Sequence, residues 1–210
     1  MAGKLSQAAK QENEMDIEVR VAEVVEASSA EFTAQCYKLD QAPPLGSLVK
    51  TKDKHLEIYG VVYNVETHSL DPGRRVVARG ENMKSEDEIF RVNPQLVRLL
   101  STDFKVLVVG HVQGKSLYHY LPPKPASIHG FVYTCRLEEV RAFTQSLDFL
   151  SLLVDVRLPI PGDEVTAACL RYASQAHPDP QVFLVKAGKE LACMLSSDAK
   201  RLNSLLKRIR

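Results

Sequence analysis

The residues best placed to do chemistry run from Gly110 to Ser116, Gly-His-Val-Gln-Gly-Lys-Ser, after the apolar stretch Val106-Leu107-Val108-Val109. A strand leading into glycine and then Gly-Lys-Ser is the order of parts in a phosphate-binding loop. That loop requires the spacing G-x-x-x-x-G-K-[ST] and a helix directly after it. The spacing lets successive backbone N–H groups wrap the phosphate, and the helix N-terminus faces it. Here only His111, Val112 and Gln113 separate the glycines. The continuation, Leu117-Tyr118-His119-Tyr120-Leu121-Pro122, is strand-prone and ends in proline. The segment therefore reads as a hairpin turn, not as an ATP site.

Other chemistry fails on similar grounds. The histidines (His55, His68, His111, His119, His129, His177) are scattered. His111 and His119 face each other across the expected Gln113-Gly114 hairpin, but a zinc site needs a third ligand and none is evident. No G-x-S-x-G elbow occurs. The carboxylate clusters Glu86-Asp87-Glu88 and Glu138-Glu139 sit in polar runs, where nothing raises a pKa. Cys36, Cys135, Cys169 and Cys193 form no C-x-x-C pair and lie in apolar-patterned segments, which reads as buried thiols in a reducing compartment. No catalytic, cofactor-binding or metal-binding residue is assigned, and the chain is expected not to be an enzyme.

Binding chemistry has more to work with. Lys50 and Lys52 share one face of a predicted strand, and Arg74, Arg75 and Arg79 follow the Asp71-Pro72-Gly73 turn. Were these strands neighbours, with Tyr59 and Tyr63 nearby, they would form the cationic groove and aromatic platforms that small barrels offer to single-stranded nucleic acid. The interleaved Asp53, Glu57, Asp71 and Glu81 favour an ordinary mixed-charge surface instead. Lys200, Arg201, Lys207, Arg208 and Arg210 crowd the last segment. Cations suit the C-terminal end of a helix, and they also suit an acidic partner or an anionic surface.

The elements that must position these residues follow from patterning. With 210 residues, 45% hydrophobic and 25% charged, the chain can bury a core, and a net charge of +1 excludes a whole-molecule field for polyanions. The start lacks the apolar core of a secretory signal, no stretch is long enough for a membrane span, and a cytoplasmic location is expected. Residues 1–16 read as a flexible tail. Alternation predicts strands at Ile17–Val24, Glu31–Tyr37, Ser47–Thr51, Glu57–Val65 and Arg74–Arg79, with Gly60 marking a bulge or close approach. Asn93-Pro94 opens a short helix over Gln95–Leu100, and Phe104–Gly110 is a buried strand. Leu121-Pro122-Pro123-Lys124-Pro125 marks a boundary. Beyond it the period turns helical: Leu137, Val140, Phe143, Leu147 and Leu150, then Val165, Cys169, Tyr172 and Ala176 behind Asp163, then one stripe from Leu191 to Ile209. Val182-Phe183-Leu184-Val185 fits either type.

Three stretches carry a resemblance: Val21–Phe32, Pro44–Val49 and Ile58–Val62. Over the first half of the chain they resemble the HAS barrel, the small β-barrel shared by HerA-type translocases and the crowns of rotary ATP synthase subunits. The whole chain, including Asn93-Pro94-Gln95-Leu96 and Ile128–Tyr133, is similar to a stand-alone HAS-barrel family of cyanobacterial type. In the larger enzymes this barrel docks subunits or accessory proteins beside the ATPase core. The resemblance therefore implies a docking or assembly module, and it does not imply ATP hydrolysis, because no Walker motif is present.

The expected architecture is α+β: a small antiparallel barrel with a short helical insertion over 17–121, then a mainly α-helical part over 126–210. The expected function is non-catalytic protein docking, as an assembly factor or adaptor, with a homo-oligomer conceivable by analogy. Gly46 and Lys50 on the barrel, and Leu202, Leu205, Lys207 and Arg208 on the last helix, are the expected partner surface. The alternatives are nucleic-acid binding through Lys50, Lys52, Arg74, Arg75 and Arg79, and a small-molecule or enzymatic site between the halves.

Overall fold

The computed structural model describes residues 19–53, 55–71, 73 and 75–209. The tail expected over 1–16 and the start of the first strand at Ile17 lie outside them. The strands are β1 (Arg20–Ala27), β2 (Glu31–Cys36), β3 (Leu48–Asp53), β4 (Leu56–Ser69), β5 (Leu100–Gln113), β6 (Ser116–Tyr118) and β7 (Phe131–Thr134). The helices are α1 (Glu86–Val92), α2 (Leu96–Leu99), α3 (Leu137–Phe143), α4 (Leu150–Val154), α5 (Gly162–Ser174), α6 (Pro180–Met194) and α7 (Ala199–Arg208).

The strands close into an antiparallel barrel of six staves in the order β2-β1-β7-β3-β4-β5, with β5 pairing back onto β2. Closure satisfies the backbone groups that an open sheet would leave at its edges. Alternation along each stave fills the interior with small and branched side chains: Ala22 and Val24 of β1, Phe32 and Ala34 of β2, Val49, Ile58, Val62, Val106 and Val132. Gly60 sits at a register shift between β4 and β5, where a Cβ would lie 2.3 Å from Val106 Cγ1. The expected bulge is therefore also a close approach. β6 stands outside the ring and pairs with β5 alone.

Two expected elements differ. The strand expected at Arg74–Arg79 does not form: residues 75–79 are exposed, Val77 is 67% accessible, and Arg74 lies outside the described residues. The reason is competition for sheet positions. β4 continues to Ser69 and pairs there with Leu100–Asp103 of β5, and the remaining gap in the ring is taken by β7. That stave comes from beyond the Pro-rich stretch, between β1 and β3, with Arg20 opposite Tyr133 and Lys50 also opposite Tyr133.

Helices α3 to α7 form a layer on the outer wall of β3, β4 and β5. Leu48, Tyr59, Val61, Tyr63, Leu107 and Val109 point away from the barrel and form one continuous core with Phe143, Phe149, Leu153, Leu170, Leu191, Leu205 and Ile209. The stripe expected as a single last helix is two helices. Asp179 caps α6 ahead of Pro180, and Asp198 caps α7 by accepting from the Arg201 N–H at 2.9 Å. Val182–Val185 is thereby the first turn and more of α6. Asp163 lies within the first turn of α5 rather than capping it, and pairs with Arg201. No helix among the described residues is long and apolar enough to cross a membrane.

Candidate docking surfaces

The barrel wall has a covered side and a bare side. On the covered side, Lys50 of β3 is 1% exposed and its ammonium bonds Glu139 of α3. The same ammonium lies 3.4 Å from Glu57 Oε1. Glu57 also takes Lys52 at 3.3 Å and accepts from the Tyr59 hydroxyl at 3.2 Å. The other Glu139 oxygen accepts the Arg136 N–H at 2.9 Å, at the start of α3. Burial alone would raise the Glu139 pKa, but the bonds from Lys50 and Arg136 outweigh it and hold the carboxyl below its ordinary value. Tyr59 stacks on Phe143 at 5.1 Å. Its phenol is pushed well above the usual range, by burial first and Glu57 second, so it stays a donor.

On the bare side, the Arg20 guanidinium lies over Phe131 at 4.6 Å and over Tyr37 at 5.4 Å. The Tyr37 hydroxyl donates to Glu23 at 3.3 Å, and the other Glu23 oxygen meets His129 Nδ1 at 2.5 Å. Cations, rings and carboxylate thus satisfy one another across β1, β2 and β7.

The third surface lies among the helices. A hollow of about 680 Å3 opens between α6 and α7. Leu184, Val185, Gly188 and Ala192 line it from α6, and Leu206 of α7 and Ile209 at its end from the other side; among the described residues only Gln181 and Lys189 bring polar side chains. A Cβ on Gly188 would lie 3.2 Å from Leu206 Cδ2, so the glycine lets α7 approach α6 there, and Ala192 brings only a methyl to the lining. Val182 and Val185 stand 65% and 57% exposed beside it. The arginines of α7 are already engaged with neighbouring elements. Arg201 pairs with Asp163 at 2.8 Å, and Arg208 with Glu164 at 2.5 Å, both on α5. Among the described residues, none forms an ion pair with Lys189, Lys200 or Lys207.

Residues 21–114 match the HAS barrel domain. The matched segment holds β1, from its second residue, to β5, while the sixth stave of the barrel, β7, lies outside it. The α6–α7 groove lies outside it as well. No curated protein matches the chain.

Most of the expected partner surface is internal to the fold. Gly46 is buried at φ +82°, and a Cβ there would lie 2.4 Å from the Ala168 backbone carbon of α5. Lys50 is sealed beneath α3. Leu205 is fully buried and Leu202 packs against the same core, so removing 202–210 would open the core instead of only stripping a surface. Lys207 is exposed, and Arg208 is tied to Glu164. The expected cationic patch does not assemble on a strand face. Lys50 is buried, Lys52 shares Glu57, Arg75 and Arg79 sit on a segment outside the sheet, and Arg74 lies outside the described residues.

Between the halves there is an open cleft of about 430 Å3, bordered by Tyr118, His119 and Tyr120 on one side and Gln145, Ser146 and Asp148 on the other. Burial lowers the His119 pKa, so the ring is neutral, and it packs edge-on against Phe143 at 4.7 Å. Cys169 is buried, with its thiol pushed up to about 12, and burial followed by Asp103 raises Cys36 to about 11. Both thiols are protonated and inert at neutral pH. What patterning missed was the groove. Its signal was Asp179-Pro180 before Val182-Phe183-Leu184-Val185: a capped helix start followed by more apolar residues than one buried face can use.

Proposed function

We propose that the protein is a non-catalytic docking module, in which the HAS barrel is the rigid body and the α6–α7 groove holds a protein partner. The groove carries this reading. It combines an apolar hollow, exposed valines and lysines with no ion-pair partner among the described residues. Contiguous exposed apolar surface costs solubility and marks interaction sites in proteins that keep it. The resemblance to barrels that dock subunits in larger enzymes points the same way.

The test places a photo-crosslinking residue at Val185 or, separately, at Phe131 on the bare wall. The expected result is one defined protein adduct from Val185, lost when Ala192→Trp fills the groove, and none from Phe131. Adducts from Phe131 alone, or a Val185 adduct that survives Ala192→Trp, would overturn the assignment to the groove.

A further inference from the structure

Resting on that docking reading, we infer that the groove's occupant is an acidic amphipathic helix of a partner protein, about three turns long. Length comes first. The lining positions on α6 run from Gln181 to Ala192, a rise of about 16 Å at the helical rise per residue. The backbone argument follows. Among the described residues the groove offers polar side chains only from Gln181 and Lys189, so an extended chain laid in it would bury most of its N–H and C=O groups with no partners. Unpaired buried backbone groups are costly, and a helix satisfies its own. Its anchors at i, i+3, i+4 and i+7 would pack along Leu184, Val185 and Ala192 of α6 and against Leu206 and Ile209 of α7.

Charge completes the description. Among the described residues no carboxylate lines the groove, Lys189 does, and Lys207 follows Leu206 on the facing helix. Arg201 and Arg208 are held by α5, which leaves the lysines to meet acids on the occupant. A second copy of α7 would bring like charges together. A membrane surface fits less well, because the apolar floor is recessed between two helices, whereas interfacial helices present an apolar ridge.

The experiment is a selection from a displayed library of random peptides, about four turns in length if helical, against the full chain, with the Ala192→Trp protein as counter-target. Melting curves confirm that both proteins fold. The expected winners carry apolar residues at helical spacing and excess Asp and Glu, gain helicity on binding, and weaken by about tenfold on the double change Lys189→Glu and Lys207→Glu. Winners that are basic or proline-rich, winners insensitive to Ala192→Trp, or no winners at all would overturn the occupant class. So would anionic phospholipid vesicles that bind the wild type in an Ala192→Trp-sensitive way when peptides do not. A Val185 crosslink to a protein alongside a failed selection would leave docking intact and remove only the acidic helix.

Discussion

The α6–α7 groove and the bare side of the barrel wall are both open to water, and both mix apolar and cationic side chains. On the wall the cation and the rings already engage one another. Arg20 lies across Phe131 and Tyr37, and Glu23 joins Tyr37 to His129. In the groove, Val185, Leu206 and Lys189 have no such closure. Composition alone would favour the wall, since Tyr, Phe and Arg dominate interface energetics. Satisfaction favours the groove, because a partner there gains contacts that the chain does not already make. The covered wall is the extreme of the satisfied case, where Lys50, Glu57 and Glu139 serve only to join barrel to helix.

That contrast can be broken or sharpened by substitution. The largest effect is expected from Lys50→Met, which strips Glu139 and Glu57 of a buried counter-charge. Breaking one side of a buried pair costs about 3–5 kcal/mol, and denaturant unfolding of the variant measures it. An unchanged midpoint would mean that the covered wall is held by apolar packing alone. Leu205→Ala, beneath the groove, removes a fully buried side chain. It should cost about 2–5 kcal/mol, in contrast with Ala192→Trp at the surface, which should stay within about 0.5 kcal/mol. Similar losses in the two would mean that the groove is part of the core.

Acid titration probes the same joint more gently. The Glu139 pKa is lower in the folded chain than its ordinary value near 4.5, so its contribution is complete above that pH and is lost as pH falls through the lowered value. The wild type should therefore lose stability on the acid side, and Glu139→Gln should show a flatter dependence there. The smallest effect belongs to the bare wall. Arg20→Ala gives up cation–π contacts worth about 0.5–1 kcal/mol at exposed sites, and should leave the Val185 crosslink unchanged. Loss of that crosslink would move docking from the groove to the wall.

Much of the fold was legible because alternation and turn chemistry are local. Val24, Phe32, Val49 and Ile58 were assigned to strands by period and Val106 by its apolar run, and all face the barrel interior. The helical period after the Pro-rich stretch was equally plain in Val140, Phe143, Val165 and Cys169. The candidate site was less legible. Gly46, Lys50 and Leu205 were read as surface, and each is covered by an element far away in sequence: α5 over Gly46, α3 over Lys50, the helical core over Leu205. Residue type says whether a group tolerates burial, not which distant element arrives to bury it.

The sequence by itself determined that the first half is built of short half-buried strands and that the second half is helical, and it contains no G-x-x-x-x-G-K-[ST] spacing and no C-x-x-C pair. Those are statements about neighbours along the chain, where spacing and residue type act directly. The tertiary structure alone decided that β7 closes the barrel, that Arg75 and Arg79 lie off the sheet, and that a hollow remains between α6 and α7. Each depends on which of several compatible surfaces meet. That choice is made by the packing of the whole chain, where β7 fits the one gap in the ring and Leu206 of α7 closes onto Gly188 while a hollow stays open beside it.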